Sequence, residues 1–484
     1  MKEVSIMEAK SKSIFNKIFV NDPAFYRKTA MIALPIAAQS MITIGINLAD
    51  TVMVGELGDT QLSAVGQANQ FVSIFQICCM GLGMGASVLT SRFWGMKDKH
   101  SLKKAITIML RLTVILAIFG FTLPTILCPR TILNFYLKTD GTIEESMRYF
   151  SYMAPCYLLL GLSLTCTIVM RTSGQVRVPM FVSIGAFFVN VFFNWVFIFG
   201  KLGAPEMGVA GAGLGTLIAR FFEFLLICGY MFFIDKRIGY RLRDLFMKCG
   251  DLVGEYISIS IPVLISDFLL ALGNSMVASI MGRIGDTFVA ANSITVVTQQ
   301  LSTVLIQGIC QAGCIITGHT LGEGRVKQAQ QQAVTFYALG AIVGSVGAVI
   351  ILAASPFVIN FYNVSDETKG LAAQLMDSIA IIVVFQAINS IMTKGVLRGG
   401  GDTKFLMVAD ILFLWVASIP LGYAAGLEWH LNAFWIYFFL KIDQVIKAFW
   451  CILRLRSGKW IKRVKAAPAV DEREPEAIET VEKA

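Results

Sequence analysis

The sequence has few charged residues for its length, and this shortage argues against a soluble globular protein. Lys, Arg, Asp and Glu make up 15% of its 484 residues, whereas 56% are hydrophobic. Ordinary soluble domains contain about 25% charged residues. Apolar runs long enough to cross a hydrocarbon core of about 30 Å recur along the chain, for example at residues 105–127, 333–354 and 405–426. The composition therefore indicates an all-α membrane protein with many transmembrane helices.

Histidine is also scarce, and the sequence lacks the motifs of a metalloenzyme or an ATP-driven pump. The three histidines, His100, His319 and His430, do not have the spacing of a metal-binding pair, and no G-x-x-x-x-G-K-[ST] loop is present. The ten cysteines show no paired C-x-x-C spacing, so they are interpreted as free, small, buried residues. We therefore predict that the protein is not an enzyme and needs no cofactor.

Positive charge is distributed unevenly between the two sides of the predicted membrane protein. With a cytosolic N-terminus, the basic clusters at 92–104, 236–248 and 454–465 all fall on the cytosolic side, and the opposite loops are rich in acids. The positive-inside rule then predicts a multi-pass protein of the cell (plasma or inner) membrane with both termini in the cytosol. Attraction of the basic face to anionic lipid accounts for the net charge of +9 without a nucleic acid partner.

An internal repeat organises the chain into two similar halves. Adding 227 to a residue number maps Pro35 to Pro262 and Arg171 to Arg398, and many other glycines and polar residues follow the same offset. We predict twelve transmembrane helices in two six-helix bundles, related by a pseudo-two-fold axis along the membrane normal. The last predicted span covers residues 432–454. Two halves that rock around a central site suit alternating access.

The repeat also sets the predicted domain boundaries. They are a basic cytosolic leader (1–28), a first bundle (29–235), a cytosolic linker (236–254), a second bundle (255–456) and a disordered cytosolic tail (457–484).

Several separated motifs resemble one transporter family. Residues 34–36 read Leu-Pro-Ile and residues 50–55 read Asp-Thr-Val-Met-Val-Gly, which is similar to the first span of the multidrug and toxic compound extrusion (MATE) family. Asn190 and Asn194 resemble its fifth span, and residues 397–399 resemble the loop after its tenth. The resemblance implies a V-shaped twelve-helix exporter, driven by protons or sodium ions, that usually carries cationic amphiphilic compounds.

The chain departs from one branch of that family and approaches another. Leu270 and Ala387 stand where NorM-like members have acids, so that cation site is absent from the sequence. The DinF-like branch relies on the first-span aspartate, which Asp50 preserves. Asn194 stands where archaeal members of that branch have a second aspartate.

Asp50 is the main candidate for coupling transport to an ion. An ionised carboxylate inside a membrane costs up to ~3 kcal/mol unless it faces a cavity or a partner. Such an acid can exchange a proton during transport, so H+ is the favoured coupling ion and Na+ bound at Asp50 is the alternative. Asn190 and Asn194 lie one turn apart and are expected to contact Asp50 or its bound cation. The structural alternatives are an aspartate at the outer headgroups and asparagines that only join helices.

Other intramembrane polar residues are secondary candidates. Asp267 lies well inside its span, whereas Asp377 and Asp410 lie near the starts of theirs and are expected to be partly solvated. Arg220 and Glu223 are expected to form an ion pair within one helix.

Two further residues complete the predicted site. Asn47 lies one turn before Asp50, and Pro35 is the predicted hinge because its ring removes a backbone hydrogen bond from the first span.

The predicted function is secondary-active export of small-molecule drugs or metabolites by a monomer. The alternatives are a flippase for lipid-linked saccharides, which needs a basic cavity, and a channel or membrane scaffold, which does not accumulate its substrate. The sign of the intramembrane charge separates the exporter from the flippase. Asp50 in the first half favours a cation exporter.

Overall fold

The computed structural model describes residues 19–136, 140–361 and 364–462, which contain helices and connecting turns but no strand. The helices are labelled in chain order: α1 Pro23–Gly55, α2 Asp59–Gly95, α3 Lys99–Leu127, α4 Pro129–Tyr136, α5 Asp140–Thr172, α6 Arg177–Ile198, α7 Val209–Ile234, α8 Gly250–Ile284, α9 Asp286–Gly322, α10 Val326–Phe361, α11 Asp366–Leu397, α12 Thr403–Glu428, α13 Ala433–Leu440 and α14 Ile442–Arg456. The predicted all-α fold is confirmed.

The last predicted span is divided into two helices. Within the described ranges, eleven helices are long and apolar enough to cross a membrane. The segment at 432–454 instead contains α13 and α14, because Lys441 leaves the helical conformation with φ −122° and ψ 16°. The Lys441 ammonium donates to Oδ1 of Asn274 on α8 at 3.1 Å. The twelfth span is therefore present as a broken helix.

Several spans contain wider π-helical turns. They lie at Leu116–Thr122 in α3, Tyr230–Ile234 in α7, Ile391–Leu397 in α11, and Phe413–Ser418 and Ala424–Glu428 in α12. Such turns are often found at functional sites because they break the regular hydrogen-bond ladder. Three of these five π-helical turns of the described residues lie in the second half.

Backbone proximity divides the chain into two compact units. Among the described residues, one unit lies within 38–90 and 98–264, and the other lies within 19–37, 91–97 and 265–462. The division cuts α1 after Ala37 and α8 after Leu264, which are 227 residues apart. Each cut lies two residues after a repeated proline, Pro35 in α1 and Pro262 in α8.

Side-chain contacts within each unit also follow the repeat. Arg171 on α5 donates to Oε1 of Gln39 on α1 at 2.5 Å. Its counterpart Arg398 forms an ion pair with Asp267 on α8 at 3.3 Å. Ser266 is the counterpart of Gln39 and directly precedes Asp267. In both halves, the arginine at the end of the fourth span therefore binds the same region of the first span.

Each unit has its own apolar core. In the first half, Phe75, Phe121 and Tyr157 pack edge-on or tilted, with ring centroids 4.9 to 5.6 Å apart. The core of the second half is aliphatic, with fully buried residues such as Ile351, Leu375 and Ile379. These cores fix the helices that carry the polar residues described below.

Short-range polar contacts anchor the linker between the halves. Asp244 accepts hydrogen bonds from Lys103 on α3 at 2.8 Å and from the backbone of Arg241 at 2.9 Å. Burial by itself would raise the pKa of the Asp244 carboxyl, but these donors hold the pKa below its usual value. The carboxylate therefore stays charged and ties the linker to the N-terminal part of α3.

Candidate functional site

Asp50 and Asn194 are in direct contact inside the first half. The Nδ2 of Asn194 on α6 donates to Oδ1 of Asp50 on α1 at 2.5 Å. Asn194 is buried with 1% exposure, whereas Asp50 is half-buried. Asn190, one turn earlier on α6, is also buried and its Oδ1 lies 3.5 Å from the same Nδ2. The structure thus brings together the three residues singled out as the predicted coupling site.

Glycine on α7 creates the space for this contact. A Cβ at Gly215 would overlap Oδ1 of Asn194, and a Cβ at Gly211 would overlap the carbonyl oxygen of Phe197. The two glycines lie one turn apart, so the same face of α7 packs closely against α6. The close approach of the two backbones therefore fixes Asn194 in position next to Asp50.

The site contains an oxygen that has no hydrogen-bond donor among the described residues. Asn194 uses its Nδ2 for Asp50, and its buried Oδ1 is left unsatisfied. A buried polar atom without a partner costs about 1–3 kcal/mol. The amide oxygen of Asn194 and the carboxylate of Asp50 together offer oxygen ligands of the kind that hard cations prefer.

A basic residue also acts on this carboxylate. Arg220 on α7 is close enough to Asp50 for an electrostatic interaction. It also forms an ion pair with Glu223, with Nη1 and Oε2 2.7 Å apart. The site therefore combines Asp50, two asparagines and Arg220, whose charge is balanced by its ion pair with Glu223.

Tyr149 on α5 forms another side of the site. Its electrostatic interaction with Asp50 places the two residues near each other. The Tyr149 hydroxyl donates to Oδ1 of Asn69 at 3.0 Å, so α2 and α5 are joined at this level. This residue was not predicted, because a tyrosine in an apolar run does not stand out in the sequence.

Among the described residues, no hydrogen bond joins Asp50 to Asn47 or Pro35, the two other residues of the predicted site. Asn47 is exposed on α1, and its carbonyl accepts a hydrogen bond from Thr51 at 2.7 Å. Pro35 lies half-buried within α1, which continues on both sides of it. The hinge role of Pro35 remains a prediction.

The candidates of the second half have different surroundings. Asp267 is held by Arg398, and Asp377 is exposed on α11. The prediction that Asp410 is partly solvated is wrong, because Asp410 is only 5% exposed. Packing of α12 against α8 and α14 covers Asp410, and Ser266 on α8 donates to its Oδ2 at 2.6 Å.

Lys447 on α14 is a buried cation that the sequence interpretation missed. It is 2% exposed and lies 2.9 Å from Oδ1 of Asp410 and 3.2 Å from Oδ2 of Asp443. The repeat contained the signal, because Lys447 is 227 residues after Arg220. The two halves thus have a cation at equivalent positions but use different acids to neutralise it.

The second half also holds two half-buried lysines, Lys394 on α11 and Lys441 between α13 and α14. Neither forms an ion pair within the structure's described part, and Lys441 contacts the amide of Asn274. The second half therefore contains these lysines as well as the buried acids Asp410 and Asp443.

Comparison with known proteins gives matches over most of the chain. The family model described as MatE matches residues 35–196 and 262–424, and the two segments begin at the repeated prolines. The probable multidrug resistance protein NorM of Thermotoga maritima is 26% identical over 452 residues, covering 91% of this chain and 94% of that protein. The uncharacterized transporter YisQ of Bacillus subtilis is 23% identical over 444 residues, covering 89% and 94%.

Solved structures show the same fold. One is an outward-facing multidrug resistance MATE family transporter of the MOP superfamily, with a TM-score of 0.81 and 18% identity. Another is a MOP superfamily transporter from Pyrococcus furiosus whose binding pocket is described as having reverse polarity, with a TM-score of 0.80 and 19% identity. In both cases the match covers 89% of this chain and 96% of the other. At such low identity these likenesses establish the fold alone.

Proposed function

The chain belongs to the MatE family, and we propose that it is a secondary-active exporter of small organic molecules, driven by an inward cation gradient. The hydrogen bond between Asn194 and Asp50 carries this proposal. It joins the acid of the first span to a buried amide of the fifth, so the acid has a fixed partner instead of lying among lipid headgroups. The names of the multidrug resistance relatives support an organic substrate.

The chemistry of the site suits a group that alternates between two charge states. An ionised Asp50 accepts the hydrogen bond of Asn194 and attracts a cation or a cationic substrate. When Asp50 is protonated, it no longer attracts the cation, and its O–H can be donated to the free Oδ1 of Asn194 after a small rotation of the amide. One carboxylate can thus bind substrate and proton in turn as the site opens to each side of the membrane.

The gradient gives this cycle its direction. Moving one elementary charge through 100 mV is worth about 2.3 kcal/mol. A proton that enters from outside supplies this energy when the exported molecule is neutral. Exchange of one proton for one monovalent cation moves no net charge and is driven by the pH difference, which is worth about 1.4 kcal/mol per pH unit. Protons are the favoured coupling ion because a single carboxylate is enough to carry one, whereas Na+ needs more oxygen ligands.

A transport assay in everted vesicles tests the proposal. A fluorescent cationic dye is offered under an imposed proton gradient, under an imposed sodium gradient, and with no gradient. We expect accumulation under the proton gradient and its collapse on addition of a protonophore. Dye equilibration at the same rate in all three conditions would identify a channel and contradict the proposal.

The half-buried Lys394 and Lys441 favour one second candidate, a flippase for an anionic lipid-linked saccharide. A lysine inside a span is costly without an acidic partner or a water-filled cavity, and a phosphate can provide the missing charge. The same vesicles distinguish the two functions. A flippase would move a fluorescent lipid-linked phosphosaccharide between leaflets and would not accumulate the dye.

A further inference from the structure

A buried ionic cluster in the second half has no role in the function proposed above. Lys447 on α14 lies between Asp410 on α12 and Asp443, one turn before it on α14. Their side chains are 2%, 7% and 2% exposed. Two carboxylates share one ammonium, so these three side chains carry a net charge of −1 away from solvent.

Each carboxylate has additional donors that hold it in place. Ser266 on α8 donates to Asp410 at 2.6 Å. Ser418 on α12 donates to Oδ1 of Asp443 at 3.0 Å, and Gln444 donates to its Oδ2 at 2.8 Å. The cluster therefore links α8, α12 and α14 through polar side chains. Apolar residues of similar size would often stabilise such a site equally well, so stability alone does not explain it.

The backbone is irregular next to the cluster. The π-helical turn at Phe413–Ser418 begins three residues after Asp410 and ends at the residue that binds Asp443. The break between α13 and α14 lies at Lys441, two residues before Asp443. Another π-helical turn, Ile391–Leu397, contains Lys394, which acts electrostatically on Asp410. Backbone irregularities at one site indicate that the helices can be rearranged there.

The cluster continues into a chain of amides. Asn389 on α11 donates to Oε1 of Gln444 at 2.7 Å, and Gln444 donates to Asp443. The Oδ1 of Asn389 is buried and has no donor among the described residues, although Asn389 is only 6% exposed. This free acceptor is an open end of the network.

We propose that Asp410, Asp443 and Lys447 form a proton-binding site, at which one proton binds the carboxylate pair and weakens the bridge that the Lys447 ammonium makes between them. The proton moves from water to a carboxylate oxygen, and no other bond forms or breaks. The three side chains then become neutral as a group. The proton belongs to the pair of carboxylates and not to one of them, because they share a single counter-ion.

Proton binding changes the contact between two helices. In the charged state, Lys447 bridges α12 and α14 through Asp410 and Asp443. In the protonated state, only one of the two carboxylates remains ionised, so the bridge that Lys447 makes between the two helices is weakened. Among the described residues, other charged or titratable groups that act on the cluster include Lys394, Arg398, Lys441 and Cys451.

The position of the cluster in the repeat supports a role in the transport cycle. Lys447 is the counterpart of Arg220, which acts on Asp50 in the first half. Asp410 is likewise the counterpart of Ser183, an uncharged residue whose hydroxyl accepts a hydrogen bond from Gln39 at 2.8 Å. The second half thus has acids around a cationic position that both halves share.

Infrared difference spectroscopy tests the site independently of transport and of Asp50. The protein carries Asp50→Asn and is taken from alkaline to acidic pH in nanodiscs, and the C=O stretch of protonated carboxylic acids is recorded. We expect a band from about one buried group that is lost in both Asp410→Asn and Asp443→Asn. The exposed Asp366 provides the control, since Asp366→Asn should leave the buried band unchanged. A band that survives in both cluster variants would overturn the proposal.

Lys447→Met separates proton binding from a purely structural ion pair. Loss of the ammonium leaves two buried carboxylates without a counter-ion, so the band should remain and its midpoint should rise by at least about one pH unit. An unchanged midpoint in a folded Lys447→Met protein would contradict the proposal. Lys447→Arg keeps the charge and should leave the midpoint close to that of the parent.

Discussion

The proposed function requires a carboxylate at position 50 that can change its charge. Asn194 donates to the carboxylate, and Arg220 adds a favourable charge nearby. Both interactions favour the ionised acid, whereas burial among helices favours the neutral one. A group balanced between these effects is suited to exchange its proton when solvent access changes.

Gly215→Ala should disturb this balance without changing any polar residue. The new Cβ would overlap Oδ1 of Asn194 and push the asparagine away from Asp50. We expect folding to survive with a loss of about 1–3 kcal/mol, which is typical of an overpacked site. Gradient-driven export should fall much more than protein abundance. The measurement is dye accumulation in everted vesicles, normalised to the amount of inserted protein.

Gly229→Ala is the matched control for that prediction. Gly229 lies on the same helix α7, and a Cβ there would meet no atom within 4 Å. Its transport should equal that of the wild type. Equal transport by the Gly215 and Gly229 variants would show that the close packing of α6 and α7 does not position Asn194 for function.

The residues of the first-half site could be predicted from the sequence, as could Asp410 as a candidate in the second half, whereas Asp443 and Lys447 could not. Asp50, Asn190 and Asn194 stand out because acids and amides are rare in apolar spans. Lys447 and Asp443 lie in the predicted last span, which is followed by a cluster of basic residues. From the sequence, these two residues could not be distinguished from charged groups at the cytosolic surface. Only the packing of α14 against α12 shows that Lys447 is buried.

At the scale of helices, the repeated prolines mark special places in α1 and α8. The division between the two compact units falls two residues after Pro35 and two residues after Pro262. Proline removes one backbone hydrogen bond and weakens the helix around it. We therefore expect the two helices to bend at these positions.

Pro35→Ala should restore the missing hydrogen bond and stiffen α1. We expect near-normal insertion and abundance but slower export, because α1 carries Asp50 beyond the proposed hinge. The rate of dye transport at saturating gradient is the appropriate measurement. Pro356→Ala in α10 provides a comparison at an exposed intrahelical proline that is far from either division in sequence. If the two variants transport equally fast, bending at Pro35 does not limit the cycle.

Most helices could be predicted from the hydrophobic pattern, but the break in the last span could not. The run from Ala433 to Leu440 is apolar throughout, so it gives no sign of a helix end. Lys441 ends α13 and binds Asn274 on a distant helix. A tertiary contact of this kind has no local sequence signal. The π-helical turns of α12 escaped prediction for the same reason.

At the scale of the whole molecule, the two halves share a frame and differ in charge. The counterparts Arg171 and Arg398 bind the first span of their own half, and Arg220 and Lys447 occupy equivalent positions. Around this common frame, the first half places one acid beside two asparagines, and the second half places two acids beside a lysine. The shared frame follows the 227-residue repeat, whereas the acids around it differ between the halves.

The central claim is that ionisation of Asp50 couples the gradient to export, and its most direct test compares Asp50→Asn with Asp50→Glu. Asp50→Asn keeps size and hydrogen bonding but cannot ionise, whereas Asp50→Glu keeps the titratable group. The exposed Asp59 serves as the control through Asp59→Asn. Each variant is assayed for cationic dye accumulation in everted vesicles energised by a proton gradient and then by a sodium gradient. We predict that Asp50→Asn is inserted normally but accumulates no dye, that Asp50→Glu retains measurable accumulation, and that Asp59→Asn matches the wild type. Full accumulation by Asp50→Asn would contradict the account and assign coupling to another residue.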